Sequence, residues 1–365
     1  MTLYIGLMSG TSMDGIDAAL VKIPSNNLEY GINANYSDAT KDALEKLLFH
    51  EETSLASICQ LNTLIGRDFA AAANRLLKEA GVLAKDIRAI GSHGQTVIHN
   101  IAAPIPYTLQ LGCPHTISSL TGITVVADFR TRDVVNGGQG APFAPLYHQE
   151  LFLSPQDNIA LVNIGGIANI TFIGTKTTSG WDVGPGNCLL DAWIRSHQGK
   201  AYDKSGAWAA TGAVILTLLD ELLADPFINK APPKSVGKEY YSLEWLKSKI
   251  KGELPPEDVQ ATLVVFTARA IANAVLKNPQ PVSELYLCGG GVHNVHLFNE
   301  IQRLLPEVKV KSCADVGVNP DYLEAMMFAW LASQTMNHMP VNLSAITGSS
   351  GLEILGAIYP ILKSY

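Results

Sequence analysis

The feature that most constrains this chain is a turn of small residues close to its start. Residues 3–6 form an apolar stretch that predicts a strand, and the run after it is rich in glycine, serine and threonine. Gly10 and Gly15 allow the backbone to approach an anion and to offer N–H groups to it. Thr11 and Ser12 add hydroxyl donors. The segment predicts a phosphate-binding turn, and an ordinary hairpin turn is the alternative that the turn by itself leaves open.

Two acidic residues lie in the same turn. Asp14 and Asp17 would repel a phosphate directly, so we expect them to hold Mg²⁺ or water between their carboxylates and the phosphate. The sequence does not decide which of the two faces the metal.

Composition narrows the classes of protein to which the chain can belong. A length of 365 residues allows two domains, and 47% hydrophobic with 16% charged residues is typical of a folded globular protein. The net charge of -7 argues against a general nucleic-acid or anionic-membrane binder. We therefore expect any bound anion to be held by local donors.

Cysteine usage and the start of the chain indicate the compartment. The five cysteines are scattered without a Cys-X-X-Cys pair, which predicts neither a disulfide framework nor a zinc knuckle. The chain starts without a basic segment or a cleavable apolar stretch, and no uninterrupted apolar run approaches the about 18 residues of a spanning helix. We expect a cytoplasmic protein with no membrane partner.

The opening turn is predicted to join two strands of a hairpin, at residues 3–8 and 17–23. A Walker-type loop instead joins a strand to a helix, and its Gly-X-X-X-X-Gly-Lys-Ser/Thr pattern is absent from the sequence, so a P-loop fold is excluded. Strands and helices alternate afterwards, which predicts an α/β fold. The predicted helices cover residues 41–49, 55–80, 187–198, 207–224, 257–277, 294–305 and 321–336, and further strands cover 89–91, 124–127, 284–288 and 308–312.

A second hairpin copies the plan of the first about half a chain later. Residues 159–164 and 170–173 predict its strands, and Gly165, Gly166 and Asn169 lie at its turn. Two such hairpins suggest duplicated halves that face each other across a cleft.

Three consecutive glycines, Gly289, Gly290 and Gly291, follow the strand at 284–288 and precede a predicted helix. They would let a flat ring lie against bare backbone and place an anion near a helix N-terminus, although a flexible link is the alternative. Two phosphate turns followed by adenosine-binding glycines is the order found in the actin, hexokinase and heat-shock ATPase superfamily, which this chain resembles.

One acid is well placed to act as a general base. Asp182 is predicted at a strand end, before the rigid turn formed by Gly184 and Pro185 and just beyond the second phosphate turn. Asp191, one turn into the following helix, is interpreted as a solvated or capping carboxylate.

Polar residues in the first half are suited to a sugar. His93, Gln95 and Thr96 follow a short strand and supply an imidazole, an amide and a hydroxyl for hydrogen bonds to sugar hydroxyls. Arg130 and Arg132 follow another strand, and one of them could fork onto a carboxylate. Pairing of the arginines with the neighbouring aspartates at positions 128 and 133 is the alternative.

Seven segments, spread over nearly the whole chain, together resemble the anhydro-N-acetylmuramic acid kinase family. They are residues 6–17, 91–96, 127–142, 163–171, 182–193, 287–294 and 320–331. The resemblance implies an enzyme of bacterial cell-wall recycling that uses ATP and water to open the 1,6-anhydro ring of its sugar and to phosphorylate O6.

The same resemblance implies a fold. It predicts an α/β protein of two actin-like (ribonuclease H-like) domains with a nucleotide cleft between them. The first would cover residues 1–133 plus 341–365, completed by a C-terminal helix after about residue 341, and the second would cover 134–340. A homodimer is expected only through the family.

Residue roles follow from the family motifs. Asp182 would take a proton from a water that attacks the anomeric carbon. The ATP phosphates and Mg²⁺ would be held by Gly10, Thr11, Ser12, Met13, Asp14, Gly15, Ile16 and Asp17, the second phosphate turn would be Gly165, Gly166 and Asn169, and Gly289, Gly290 and Gly291 would flank the adenosine. The sugar and its lactyl carboxylate would be met by Gln95, Thr96, Arg130, His148 and Glu324.

Three of these assignments have specific qualifications. Arg130 is chosen over Arg132 because it comes sooner after the strand end. Glu324 in the first turn of a helix is equally explained by capping and the helix dipole. Val183 stands beside the base where many relatives are expected to carry Thr, so no side-chain hydroxyl contact is expected from that position.

Two rival functions remain. An ordinary sugar kinase of the same superfamily would use the aspartate to deprotonate a free hydroxyl and would consume no water. A nucleotide-switched binding module, like actin or a heat-shock ATPase, would hydrolyse ATP slowly without dependence on a sugar.

Overall fold

The structure, a computed structural model, describes residues 1–10, 15–49, 53–152, 158–174, 178–237 and 240–361. The chain forms two compact units, one of Met1–Ala141 with Tyr322–Tyr365 and the other of Pro142–Asp321. The predicted nucleotide-binding residues Thr11, Ser12, Met13 and Asp14 lie outside the described residues.

The strands, in chain order, are β1 (Thr2–Met8), β2 (Ile16–Ile23), β3 (Asn27–Ala34), β4 (Ile87–Ser92), β5 (Gln95–Asn100), β6 (Tyr107–Leu111), β7 (Val125–Ala127), β8 (Ile159–Ile164), β9 (Ile167–Ile173), β10 (Thr178–Pro185), β11 (Glu284–Cys288), β12 (Lys309–Ser312), β13 (Val341–Asn342), β14 (Leu352–Glu353) and β15 (Ala357–Tyr359).

The helices are α1 (Asp38–Phe49), α2 (Leu55–Ala80), α3 (Pro114–Thr121), α4 (Phe129–Val135), α5 (Ala144–Leu151), α6 (Cys188–Gln198), α7 (Leu216–Leu223), α8 (Pro226–Asn229), α9 (Leu243–Lys249), α10 (Pro256–Leu276), α11 (Val295–Leu304) and α12 (Leu323–Met336). Their ends follow local chemistry. Ser54, for example, caps α2 by accepting from the Ser57 N–H, and Gly81 ends it in a left-handed conformation.

Each unit contains one large sheet, and the two sheets share an order. The first unit has β15-β7-β4-β1-β2-β3 and the second has β10-β9-β8-β11-β12. In both, an antiparallel three-stranded meander continues into strands parallel to its first member. This repetition confirms the prediction of two α/β units of the actin-like (ribonuclease H-like) type.

Buried apolar runs explain which strands are central. All six residues of β8 are buried, as expected for a strand covered on both faces. In the second unit α10 packs into the core, and 78% of its most apolar 18-residue window is buried. Among the described residues it is the one helix long and apolar enough to cross a membrane, and such burial is what the core helix of a folded domain shows.

The C-terminal segment corrects one prediction. Instead of a helix after about residue 341, the described residues there form the short strands β13, β14 and β15. The strand β15 pairs antiparallel with β7 and extends the first sheet by one strand. Tertiary pairing, which leaves little pattern in three residues, decides this conformation.

The compact units also divide the chain at other positions than the predicted domains. Residues 134–141 and the helix α12 fall in the first unit, whereas the predicted boundaries at 133 and 341 assign both to the second. The reason is that α12 packs on β1 and β4 of the first sheet.

Candidate functional site

A row of polar residues crosses the sheet of the second unit. Asp182 on β10 lies directly opposite Asn169 on β9, and Asn169 lies opposite Asn163 on β8. Directly opposed residues of antiparallel strands point to the same face with Cβ atoms about 5 Å apart. The register thus brings the predicted base together with the asparagine predicted for the second phosphate turn.

Asn169 contributes an orphaned acceptor to this row. Its side-chain Oδ1 is buried and, within the described part of the chain, makes no hydrogen bond. Leaving such an atom unsatisfied is expensive, which favours a ligand or water as its partner.

Asp182 is clamped by a loop segment. Its backbone N–H donates to the Lys234 carbonyl at 3.1 Å, and its Oδ2 accepts from the Val236 N–H at 2.9 Å. Asp182 lies within β10, three residues before its end, rather than at the strand end as predicted, and the register shifts between Asp182 and Gly184. A bulge of this kind re-aims a side chain.

The second turn is fixed against the start of α6. The Gly165 carbonyl accepts from the Asn187 N–H at 2.8 Å, and the Gly166 carbonyl accepts from the Gly186 and Cys188 N–H groups. A Cβ on Gly186 would come within 2.3 Å of the Gly165 oxygen. The backbone of the turn is therefore joined to the start of α6 by three hydrogen bonds, and phosphate binding by it stays a prediction.

The three glycines at 289–291 differ in the space that a side chain would have at each position. A Cβ on Gly289 would lie 2.2 Å from the Asn163 Oδ1, and a Cβ on Gly291 would lie 2.2 Å from the Ile164 side chain. A Cβ on Gly290 would meet nothing within 4 Å. Close packing on the end of β8 thus explains two of them, and only Gly290 offers the bare surface expected for a flat ring.

Asn163 is a member of the row that the sequence reasoning did not select as a site residue. The sequence does mark this position, because Asn163 is the one polar residue in the otherwise apolar run of β8. Its place beside Asn169 depends on the register between β8 and β9, which the sequence of β8 alone does not reveal.

In the first unit, Gln95 ties the sugar-binding prediction to the opening turn. Its Oε1 accepts from Ser9 Oγ at 2.9 Å and from the Tyr36 hydroxyl at 3.0 Å, and its Nε2 donates to the Gly10 carbonyl at 3.2 Å. The single Ser9 hydroxyl proton is shared with the Gly15 carbonyl, whose oxygen lies 2.8 Å from Ser9 Oγ. Gln95 is therefore a buried anchor of the turn, while its neighbour Thr96 is half-buried at the start of β5.

The described residues of the opening turn have distinct environments. Ile16 is fully buried, so only its backbone could reach a nucleotide. Asp17 is half-buried at the start of β2, and its Oδ1 accepts from Asn33 Nδ2 at 2.8 Å. Within the described ranges, no group of three or more acidic, histidine or cysteine residues is arranged around a metal position. One carboxylate is nevertheless compatible with Mg²⁺, which commonly uses one or two carboxylates with substrate phosphates and water.

Arg130 lies in α4, one residue after its start, and is held in place by two bonds. Its Nε donates to His93 Nε2 at 2.9 Å, and its Nη1 donates to the Gly140 carbonyl at 2.6 Å. Burial, and then the Arg130 charge, hold the pKa of His93 well below its usual value, so the imidazole is neutral and can accept from the guanidinium. Asp133 makes no ion pair with an arginine among the described residues; it accepts from the Gly140 N–H and from the Thr347 hydroxyl.

His148 and Glu324, the other predicted sugar contacts, lie in different settings. His148 is buried in α5 of the second unit, where its Nδ1 hydrogen-bonds Thr171 Oγ1 at 2.8 Å. Glu324 is half-buried in the first turn of α12, where the helix dipole stabilises a negative charge. Sugar contact by either residue stays a prediction.

The burial of His148 predicts a pH-dependent stability. Desolvation lowers its pKa to about 3, whereas the unfolded chain takes up a proton below about pH 6.5. The folded pKa is the lower one, so this histidine has no effect above pH 6.5 and destabilises the fold increasingly as the pH falls toward 3. Urea unfolding gives the drop in the free energy of unfolding between pH 7 and pH 5. This drop should be about 2 kcal/mol smaller in His148→Gln than in the wild type. The exposed His115 supplies the control, and an equal pH dependence in H148Q and H115Q would contradict the prediction.

Comparison with known proteins identifies the family. The family model described as anhydro-N-acetylmuramic acid kinase matches residues 2–361. A protein named anhydro-N-acetylmuramic acid kinase from Legionella pneumophila subsp. pneumophila is 62% identical over 366 residues, with 100% of both chains covered. One of the same name from Coxiella burnetii is 46% identical over 360 residues, which cover 98% of this chain and 97% of that one.

Solved structures show more distant likeness. A ROK family glucokinase from Streptomyces griseus in complex with glucose and AMPPNP aligns with a TM-score of 0.42 and 14% identity, covering 91% of this chain and 99% of that one. The full-length family match and the two relatives are decisive: the chain belongs to the anhydro-N-acetylmuramic acid kinase family.

Proposed function

We propose that this protein is an ATP-dependent anhydro-N-acetylmuramic acid kinase, which opens the 1,6-anhydro ring hydrolytically and phosphorylates O6. The products are N-acetylmuramic acid 6-phosphate and ADP, in peptidoglycan recycling. Family membership supports the reaction, and the observation that carries the chemistry is the pair of Asp182 and Asn169. A carboxylate that can take a proton stands beside an amide oxygen that has no hydrogen-bond partner among the described residues, an arrangement suited to holding a water molecule.

The proposed reaction uses that pair as follows. Asp182 takes a proton from a water whose oxygen attacks the anomeric carbon, and the bond between that carbon and O6 breaks. The released O6 then attacks the γ-phosphoryl group of ATP, and ADP leaves. General-base help of this kind is worth about 10² to 10⁴ in rate.

We further propose how the nucleotide is held. The opening turn, the second turn at Gly165 and Gly166, and the glycines at 289–291 supply backbone N–H groups and uncrowded backbone. Asp17, with Asp14, provides carboxylate for Mg²⁺, which when bound would offset the phosphate charge. A cytoplasmic homodimer completes the proposal, on the grounds of the cysteine usage and the family resemblance.

The proposed function can be tested by tracing oxygen from water into the sugar product. The protein is incubated with ATP, Mg²⁺ and 1,6-anhydro-N-acetylmuramic acid in ¹⁸O-labelled water. We expect a sugar phosphate labelled at the anomeric oxygen. Phosphorylation of an intact hexose without label would favour the ordinary sugar kinase, and ATP hydrolysis without dependence on any sugar would favour a nucleotide-switched module.

Arg130 is proposed to bind the lactyl carboxylate of the sugar. Arg130→Met should raise the KM for the sugar about tenfold or more, since a hydrogen bond between charged groups is worth about 1.5 to 3 kcal/mol, and should leave the KM for ATP within about twofold. Arg132→Met, an exposed neighbour on the same helix, is the matched control for steady-state kinetics. Equal sugar KM values in R130M and R132M would contradict the assignment.

A further inference from the structure

Lys234 is a buried cation for which the proposed reaction has no role. It is only 5% exposed, and its Nζ donates to the Phe227 carbonyl at 2.9 Å and to the Ile228 carbonyl at 3.1 Å. The ammonium also lies 4.6 Å from the centre of the Phe227 ring. Both carbonyls belong to the short helix α8, so Lys234 fastens the loop after that helix back onto it.

The fastened loop contacts Asp182 at two points. The Lys234 carbonyl accepts from the Asp182 N–H, and the Val236 N–H, two residues on, donates to the Asp182 carboxylate. The position of that donor is therefore coupled to the position of the lysine side chain. A backbone N–H directed at a carboxylate favours its ionised form and fixes its orientation.

We infer that Lys234 is a positioning residue for Asp182: its ammonium anchors residues 234–236 to α8 and so keeps the Val236 N–H on the carboxylate that acts as base. The inference rests on the proposed function for the identity of that base. Lys234 would act through the loop and would not contact the sugar or ATP.

The Lys234 ammonium is buried without a close counter-charge. Within the described chain no carboxylate lies within 4.0 Å of the Lys234 amine, so its partners are neutral carbonyls and a ring. Burial, and then the charge of Lys277, lower the pKa of Lys234 to about 8, while Asp182 and Asp225 raise it. Keeping a charge in this setting has a desolvation cost, which neutral partners offset only in part.

Lys277 offers a control cation that lines the same cavity. Lys234 and Lys277 both line a cavity of about 360 Å³, together with Trp181 and Val183, which flank the base. Lys277 is exposed. Removing it changes the local charge but leaves the loop and α8 joined.

The first experiment compares pH–rate profiles of Lys234→Met, Lys234→Arg and Lys277→Met. In K234M we expect kcat to fall about tenfold, and the acid limb of kcat to move up by about one pH unit, because the carboxylate loses a donor and a nearby positive charge. K234R keeps a charged donor and should retain the wild-type limb, as should K277M. A purely structural lysine would change the unfolding midpoint and leave the acid limb in place, and that result would overturn the inference.

A second readout does not require turnover. Protein labelled with ¹³C at the aspartate carboxyl groups gives a signal for Asp182, assigned by its absence from Asp182→Asn. Its titration midpoint should be higher in K234M than in the wild type and unchanged in K277M; equal midpoints in all three would overturn the inference. In wild-type protein the same signal should show a second step near pH 8, as Lys234 loses its proton. Absence of that step would count against the inference even if K234M does not fold.

The two proposals can fail separately. Absence of sugar phosphate from the wild-type protein would refute the proposed function, while the carboxyl titration would still support or refute the coupling of Lys234 to Asp182. Normal turnover together with an unchanged midpoint and acid limb in K234M would refute the coupling alone.

Discussion

Asp182→Asn should lower turnover by about 10² or more while leaving the fold and ATP binding nearly intact. The amide has the shape of the carboxylate but cannot take a proton from water at neutral pH. Its oxygen can still accept from the Val236 N–H, and the backbone bond from position 182 to the Lys234 carbonyl does not involve the side chain. The loss should therefore appear in kcat rather than in stability.

Three measurements separate these effects. Steady-state kinetics with saturating sugar and ATP gives kcat, calorimetric titration gives the Kd for ATP, and thermal unfolding reports the fold. Asp191→Asn is the matched control, because Asp191 is an acid in the adjoining helix α6 and is interpreted as solvated or capping. Wild-type turnover in D182N, or an equal loss in D191N, would remove Asp182 from the role of base.

Much of the fold is predictable because it depends on local pattern. The opening hairpin, predicted at 3–8 and 17–23, is observed at Thr2–Met8 and Ile16–Ile23, since short apolar strands on either side of small turn residues leave little choice. The helix predicted at 321–336 is observed at Leu323–Met336. The hairpin and the helix can both be predicted because the periodicity of their apolar residues and their turn residues are local features of the sequence.

Elements stabilised by distant partners are less predictable. The strand β3 was not predicted, and it owes its place to pairing with β2 at the edge of the first sheet. Likewise, the short strand β15 depends on β7, more than two hundred residues earlier in the chain. Such strands carry too few residues for a periodic signal.

The candidate site shows the same division. Asp182, Asn169 and the glycines could be selected from the sequence because their residue types and spacing are unusual. The alignment of Asp182 with Asn169 and Asn163 could not, because it requires the register of three strands. Nor could the contact from Val236, which belongs to a loop more than fifty residues later.

The helix α12 explains why two glycines of the first sheet should not tolerate any side chain. A Cβ on Gly6 would lie 1.7 Å from the Ala325 carbonyl oxygen, and a Cβ on Gly91 would lie 1.9 Å from that of Phe328. Both contacts are with helix backbone, which cannot rotate away as a side chain can. The helix can therefore lie this close to β1 and β4 only because both positions are glycine.

Gly6→Ala should therefore lower the free energy of unfolding by about 3 kcal/mol or more, since added atoms in a packed core force backbone shifts. Urea unfolding measures the loss, and a variant too unstable to fold would be its extreme. Gly122→Ala is the matched control: Gly122 ends α3 with a φ of 69°, a Cβ there would meet nothing within 4 Å, and only the conformational cost of about 1 kcal/mol applies. Equal losses of stability in G6A and G122A would contradict the prediction, because they would mean that the α12 backbone does not lie this close to Gly6 of β1. A larger loss in G6A would mean that the first sheet needs a strand without a side chain at Gly6, nine residues before Gly15 of the opening turn. Packing, as well as the proposed phosphate binding, would then restrict the sequence at the start of this chain.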